Sequence, residues 1–136
     1  MNKDELVIVR PTVEADKNFI MATILRGLFY GESWFSEIDK SVFMENYHRV
    51  IDFLLAKDTT EVRIACLKED PEVILGYSIV SPSSNLIHFV FVKKAWRGIG
   101  IASMLVPTTT TTATQLTKTG LAIIRKKSID FNPFLL

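Results

Sequence analysis

Apolar residues recur with two different periods in the first half of the chain. The short β-branched run at 6–10 is stopped by Pro11, which predicts a first strand. From 14 to 29 the apolar residues return every three or four positions, which predicts a helix that ends at Gly31. A second stripe with the same spacing predicts another helix over 39–57.

The ends and the apolar faces of these two helices can be assigned to particular residues. Thr12 is expected to cap the first helix, and Glu14 and Asp16 suit its positive N-terminal end. The buried stripes are predicted to be Phe19, Ile20, Ile24, Leu25 and Leu28 in the first helix and Val42, Phe43, Tyr47, Val50, Ile51, Leu54 and Leu55 in the second.

Three strand-like runs follow, at 61–67, 73–80 and 86–92. The first two are separated by the charged residues 68–72, which is typical of a hairpin connection. The third run is apolar at every position except His88, and this pattern indicates a central strand that is covered on both faces.

The last third of the chain has a weaker pattern. Residues 98–106 are predicted to form a helix, and the threonine-rich tract at 108–114 favours a strand because threonine is β-branched. A short helix is predicted over 118–127 and a last strand over 129–136, at a sheet edge because of Pro133. The predicted order is therefore strand, two helices, three strands, helix, strand, helix and strand.

Length and composition narrow the class of protein. A chain of 136 residues that is 48% hydrophobic and 23% charged is typical of one globular domain, which we expect to span 1–136. The net charge of +1 argues against a helix-turn-helix or other nucleic-acid binder.

Cys66 is the single cysteine, which excludes an intramolecular disulfide and a cysteine-rich zinc site. The chain shows no signal-peptide pattern and no apolar run of about 18 residues, so we expect it to be cytoplasmic and not to enter a membrane.

The stretch HFVFVKKAWRGIGIASML, residues 88–105, joins a strand to a helix through a basic turn that contains glycine. Backbone amides at such a helix N-terminus, together with the helix dipole, can bind an anion. Gly98 and Gly100 lack a β-carbon, so a phosphate could approach the backbone, and Arg97 adds positive charge. The alternative is a plain connection whose glycines only relieve strain, and the spacing by itself leaves both alternatives open.

This turn resembles the Q/R-x-x-G-x-G/A motif of the GNAT acetyltransferase superfamily, which binds acetyl-coenzyme A. The three defined positions are filled by Arg97, Gly100 and Ala102, and Val92 stands at the strand-end valine of the family. Lys94 stands where many members have proline. The resemblance implies an α/β (α+β) fold, with a GNAT-like mixed, mostly antiparallel sheet flanked by helices. It extends more faintly to short acetyltransferase-like proteins encoded by phages.

By the same resemblance, the backbone of Val90, Phe91 and Val92 would pair with the pantetheine arm of acetyl-coenzyme A. The pyrophosphate would be held by the amides of Arg97, Gly98, Ile99, Gly100, Ile101, Ala102 and Ser103. The implied reaction transfers an acetyl group to an amine of unknown identity, by direct attack in a ternary complex and without a metal. No cysteine lies near the motif to carry an acyl intermediate, which argues against a ping-pong route.

Two residues are candidates for the general base of such a reaction. An unperturbed imidazole titrates near neutral pH, which favours His88, and the alternative is a core histidine with its hydrogen bonds satisfied. Glu32 lies in the loop after the first helix, and the alternative is a solvated carboxylate. No general acid is evident, because Ile123 or Ile124 stands where many family members carry a tyrosine, and Tyr77 is expected to pack in the core.

A rival hypothesis keeps the fold but not the activity. The missing tyrosine favours a catalytically weak or inactive protein that serves as a binding or structural component, such as a phage accessory protein. If the chain is an enzyme, its acceptor pocket is expected around 30–38 and 81–85, where Trp34 and Phe35 either line the pocket or pack on the core. The apolar tail at 132–136 suggests a homodimer formed through a sheet edge.

Overall fold

One six-stranded sheet organises the chain in the computed structural model, which describes residues 3–31, 35–115 and 117–136. The strand order follows the sequence, from β1 at one edge to β6 at the other. The strands are β1 (Val7–Pro11), β2 (Glu61–Leu67), β3 (Ile74–Ser81), β4 (Leu86–Val92), β5 (Thr112–Ala113) and β6 (Asp130–Phe131). The first four strands pair antiparallel, whereas β5 and β6 run parallel to their preceding neighbours. The prediction of a mixed, mostly antiparallel sheet flanked by helices is therefore confirmed.

Helices cover both faces of this sheet. They are α1 (Lys3–Leu6), α2 (Lys17–Gly31), α3 (Lys40–Leu55), α4 (Ile101–Leu105) and α5 (Lys118–Lys126). Short 3-10 turns lie at Glu14–Asp16, Phe35–Glu37, Pro82–Ser84, Lys94–Trp96 and Pro133–Leu135. None of the helices within the described ranges is long and apolar enough to cross a membrane.

The sheet separates two hydrophobic cores. On one face α2 and α3 pack against Tyr77, Ile79 and Phe89. On the other face α4 and α5 pack against Val90 and Val92, together with neighbours from β2 and β3. All of β3 and all of β4 except Phe91 are buried, which confirms that β4 is a central strand covered on both faces.

The start of α2 differs from the prediction. Thr12 does not cap the helix, because the 3-10 turn at Glu14–Asp16 comes between them and α2 begins at Lys17. Asp16 is buried, and its carboxylate accepts hydrogen bonds from the guanidinium of Arg10 at 2.8 and 3.0 Å. Arg10 holds the pKa of Asp16 below its ordinary value. Asp16 therefore links Arg10 of β1 to the turn that precedes α2. The hydroxyl of Thr12 donates a further hydrogen bond to the same carboxylate.

One residue of the predicted α3 stripe is misplaced. Val42 is 51% exposed, whereas its neighbour Phe43 is 2% exposed in the core. Successive helical residues point about 100° apart, so the burial of Phe43 turns Val42 towards solvent. The prediction that Val42 is buried was wrong.

The helices and strands predicted for the last third of the chain are present, but several are shorter than predicted. Helix α4 is five residues long because Gly98 and Gly100 precede it with φ angles of +83° and +90°, outside the helical region. The threonine tract contributes only two residues to β5, and β6 is also two residues long, since Pro133 starts a 3-10 turn after it. The edge position predicted for the last strand is confirmed.

Candidate functional site

Strands β4 and β5 separate soon after they pair. The pairing of β5 with β4 is limited to Leu86 and Ile87, at the start of β4. The next residue, His88, is an extra residue in the ladder, because Val80 pairs with Ile87 while Ile79 pairs with Phe89. Such a bulge bends a strand, and here it coincides with the point at which the two strands part. The second half of β4 therefore borders a gap on the side away from β3.

The backbone groups that face this gap can be identified from the hydrogen-bond alternation of the ladder. The amide of Lys93 donates to the carbonyl of Leu75 on β3 at 2.8 Å. Since facing directions alternate along an antiparallel strand, Phe91 faces β3, whereas Val90 and Val92 face away from it. On that side Val90 and Val92 have no strand partner within the described part of the chain.

A cavity of about 370 Å³, here called the turn cavity, lies between the glycine turn and α5. Its walls from the motif are Val92, Arg97, Gly98, Gly100, Ile101, Ala102 and Ser103. Ile99 is not among them and packs against the core on the α4 side of the sheet. The remaining walls are Trp96, Ala122, Ile123, Lys126 and Lys127, so the basic end of α5 faces the glycine turn across the cavity.

A second cavity of about 310 Å³, here called the α2 cavity, lies beside α2 and the sheet. It is lined by Thr23, Ile24, Arg26, Gly27, Tyr30, Gly31, Tyr77, Phe89, Val90, Phe91, Arg97 and Thr117. Arg97 lines both cavities, and its Nε donates to the carbonyl oxygen of Val92 at 2.8 Å. The two cavities therefore meet at the gap beside β4.

His88, a predicted candidate base, lies buried away from both cavities. Its Nε2 is 2.8 Å from the Ser81 hydroxyl and its Nδ1 is 2.6 Å from the Thr114 hydroxyl. Burial, with a smaller contribution from the charge of Lys57, lowers the pKa of His88 to about 4. The ring is therefore neutral at physiological pH with both nitrogens occupied, which fits the core-histidine alternative.

The other candidate base, Glu32, lies outside the described residues, as does Trp34. Phe35, the second aromatic residue of that predicted pocket, is buried in the core. Tyr77 is also buried, as predicted, and its ring stacks on Phe91 with centroids 5.4 Å apart. Its hydroxyl lies 2.5 Å from that of Thr23, and burial raises the pKa of Tyr77.

Two glycines of the site were missed by the sequence analysis. A β-carbon on Gly76, in β3, would collide with the carbonyl oxygen of Phe91. A β-carbon on Gly120, in α5, would lie 2.9 Å from the hydroxyl oxygen of Thr117 and 3.5 Å from a methyl carbon of Val90. An isolated glycine inside a strand is a signal of close backbone approach, so Gly76 could have been found. Arg26 and Thr23 carry no comparable signal.

No group of three or more histidine, cysteine, aspartate or glutamate side chains is placed to hold a metal ion among the residues that the structure describes. The polar groups around the two cavities are instead backbone amides, hydroxyls and basic side chains. Such groups suit a ligand that carries negative charge.

No protein-family model and no curated protein sequence matches this chain. Solved structures do match it over most of its length. A protein of Pyrococcus furiosus assigned as an acetyl transferase superposes with a TM-score of 0.59 at 14% identity, covering 92% of this chain and 78% of that one. AAC(6')-Iy, solved with the bisubstrate analogue CoA-S-monomethyl-acetylneamine, superposes with a TM-score of 0.53 at 14% identity, covering 91% of this chain and 90% of that one. At these identities the likeness is one of fold, and the fold is GNAT-like.

Proposed function

We propose that the chain is an acetyl-coenzyme A-dependent N-acetyltransferase that acts on an amine by direct attack in a ternary complex. The gap beside β4 carries this proposal, because Val90 and Val92 have no strand partner on that side among the described residues, and Val90 lines the α2 cavity while Val92 lines the turn cavity. The carbonyl of Val92 is held by Arg97, which leaves the amides of both valines and the carbonyl of Val90 to pair with a ligand. A pantetheine arm is extended and can pair with a strand edge in the manner of an added strand. Its thioester would then lie near Arg97, where the two cavities meet.

The turn cavity suits the phosphate end of the same ligand. The left-handed glycines Gly98 and Gly100 turn successive amides of the loop towards one side, an arrangement that favours anions. Lys126 and Lys127 stand on the opposite wall. The chain thus provides a backbone nest on one side of the pyrophosphate and two ammonium groups on the other.

Few groups of this chain would take part directly in the acetyl transfer. The backbone amide of Val92 would polarise the thioester carbonyl and stabilise the developing oxyanion. We propose Glu32 rather than His88 as the proton acceptor, because Glu32 is next in the sequence to Gly31, and Gly31 lines the α2 cavity. His88 serves the fold instead, since both its ring nitrogens are engaged. The leaving thiolate would take its proton from water.

Calorimetry with acetyl-coenzyme A tests the proposal. Ala102 lines the turn cavity, so Ala102→Glu should weaken binding about tenfold or more by placing a carboxylate near the pyrophosphate. Ala102→Gln has nearly the same size without the charge and is the matched control, for which a much smaller loss is expected. Wild-type protein that is folded but does not bind acetyl-coenzyme A would contradict the proposal.

A second candidate function is a protein of this fold that binds the coenzyme without turning it over. The observation that favours it lies in α5, where Ile123 lines the turn cavity and Ile124 is buried, so neither supplies an acid. A binding or structural role, such as that of a phage accessory protein, would then apply. Binding of acetyl-coenzyme A without thiol release for any amine would favour this candidate.

The proposal also covers the domain organisation, the location and the oligomeric state of the protein. We propose that 1–136 acts as one GNAT-like domain in the cytoplasm. Two residues of the tail predicted to form a homodimer contact, Phe134 and Leu135, are exposed, whereas Leu136 packs partly buried against the core. The homodimer itself stays a prediction, which the elution volume of the protein in size-exclusion chromatography would check.

A further inference from the structure

The charge of the α2 cavity indicates which amines it would accept. We infer that the acceptor is a small amine with an anionic group, bound by Arg26 and Arg97, and with an apolar body that lies against the sheet. This inference rests on the proposed function, because it names the substrate class of the same site. It concerns the acceptor and not the acetyl donor.

The formal charges of the described side chains in the cavity wall are positive. Arg26 and Arg97 are the two charged side chains among the described residues that line it. Beside the cavity, the ammonium of Lys40 donates to the hydroxyl of Tyr30 at 3.0 Å and adds a third positive charge. Glu32, the proposed proton acceptor, would supply one carboxylate against these three cations, so a carboxylate or phosphate on the acceptor would be attracted to the guanidinium groups and a polycation would be disfavoured.

Arg26 is placed to reach an acceptor inside the cavity. It lies on α2 between Thr23 and Tyr30, three and four residues away, so all three side chains project from one face of the helix. All three line the cavity. Arg26 makes no ion pair within the described part of the chain, so its charge is not neutralised there by a described acidic residue.

Arg97 fixes the opposite end of the cavity. Its Nε–H bond to the carbonyl of Val92 holds the guanidinium at the boundary with the turn cavity. An acceptor amine must come close to the thioester, near that boundary. Its anionic group would then lie between the two guanidinium groups, where charge-assisted hydrogen bonds are strongest.

The remaining walls limit the size and the polarity of the acceptor. Ile24, Phe89 and Phe91 form an apolar surface, and the volume of about 310 Å³ is at the lower end of the range for small-molecule sites. An amino acid with an apolar side chain, or a phosphorylated amine of similar size, would meet all three requirements. A carboxylate and a phosphate would both accept charge-assisted hydrogen bonds from the guanidinium groups, and the experiment below distinguishes the two.

Matched pairs of amines provide the test. Phenylalanine is compared with phenethylamine, and phosphoethanolamine with ethanolamine, while spermidine represents polycations. Binding of each compound is measured by calorimetry with the protein alone and with the protein saturated with coenzyme A, and thiol release from acetyl-coenzyme A is followed in parallel. We expect at least one member with an anionic group to bind about tenfold or more tightly than its partner without that group, the factor expected for one charge-assisted hydrogen bond.

Variants of Arg26 test whether the preference for amines with an anionic group arises from binding in the α2 cavity. Arg26 is exposed, so Arg26→Gln should fold, and it should raise Kd and KM for the amine with an anionic group about tenfold with a much smaller change for its partner without that group. Arg26→Lys keeps the charge and should recover most of the lost affinity. An equal loss for both members of a pair would overturn the inference, as would preferred binding of spermidine or of the amines without an anionic group.

The failure of this inference can be distinguished from the failure of the proposed function. If acetyl-coenzyme A does not bind, the proposed function fails, while the pairwise binding to the protein alone still decides the charge preference of the cavity. If acetyl-coenzyme A binds and no amine with an anionic group binds more tightly than its partner without that group in either state, the inference fails and the proposed function stands.

Discussion

His88 is buried at the point where the sheet divides, and its hydrogen bonds explain why an ionisable residue stands there. Its ring connects β4 to Ser81 at the end of β3 and to Thr114 just after β5. A neutral imidazole offers one donor and one acceptor, and two hydroxyls can satisfy both. The residue thus fixes the bulge from which the second half of β4 bends away from β5.

The buried state of His88 predicts a pH dependence of stability. The pKa of His88 is about 4 in the folded chain, compared with about 6.5 when unfolded, so the unfolded chain binds the proton more readily. Its contribution is therefore fully present above pH 6.5 and is lost as the pH falls towards 4. We expect a loss of about 3 kcal/mol in the free energy of unfolding from this residue, measured by chemical denaturation across this pH range.

His88→Gln is the control, because its amide can still bond both hydroxyls but does not titrate. The difference in stability between the two chains should shrink or reverse as the pH falls from 7 to 4. Parallel pH dependences for wild type and variant would show that His88 is not the group responsible.

At the scale of elements, the close approach of β3 to β4 determines the shape of the strand edge that borders the gap. Gly76 pairs with Val92, and the carbonyl of Phe91 occupies the space that a β-carbon on Gly76 would need. The atom in the way is backbone, so a side chain at this position can be accommodated only if β4 moves. The path of β4 beside the gap thus depends on a residue of the neighbouring strand.

We expect Gly76→Ala to reduce the free energy of unfolding by about 2 kcal/mol, in the range of overpacked cores. It should also weaken acetyl-coenzyme A binding, because the displaced segment of β4 contains Val92. Chemical denaturation and calorimetry on the same protein measure the two effects.

Gly27→Ala is a matched substitution with the opposite expectation. No atom lies within 4 Å of a β-carbon at Gly27, which lies inside α2, so alanine should stabilise the helix by about 0.5 to 1 kcal/mol. A Gly76→Ala variant as stable as the wild type would mean that β3 and β4 do not constrain each other as the structure indicates.

The sequence predicted the elements well where periodicity was strong and less well where backbone conformation decided the outcome. The strands β2 and β4 have the predicted bounds, because each strand-like run is followed or preceded by a polar turn that marks its ends. The prediction of Thr12 as a cap was wrong because a 3-10 turn precedes α2, and Arg10, six residues before Asp16, binds the carboxylate of Asp16 in that turn. An ion pair between a strand and a turn leaves no periodic pattern in the sequence.

At the scale of the whole molecule, the sheet consists of two parts joined by few pairs. β2 and β3 share six residue pairs, whereas β4 and β5 share two, as do β5 and β6. The coenzyme proposed for the gap would contact both parts, because the walls of the turn cavity come from β4 and from α5. Binding should therefore couple them.

We expect acetyl-coenzyme A to slow hydrogen exchange most in residues 112–131, which contain β5, α5 and β6. This region has short ladders and opens most readily, so a ligand that binds only the closed form should protect it. Exchange followed by mass spectrometry, with and without ligand, measures the effect. β1 and β2 serve as an internal control with little expected change, and uniform protection across the chain would contradict the expectation.

The candidate site was predictable only in part, for reasons of topology. The glycine turn forms a continuous motif, so most of its predicted residues are found around one cavity. The α2 cavity combines Arg26, Phe89 and Thr117, which are far apart in the sequence and carry no shared pattern. His88 stood out by its chemistry, yet its environment removes that chemistry by occupying both nitrogens.

The meeting of the two cavities at Arg97 has a consequence for the order of events in the proposed reaction. The α2 cavity has walls from α2, which packs on one face of the sheet, and the turn cavity has walls from α4 and α5, which pack on the other. A donor in the turn cavity would leave the α2 side to the acceptor. Under the proposed function neither molecule would have to wait for the other, and the sequence of arrival would follow their concentrations.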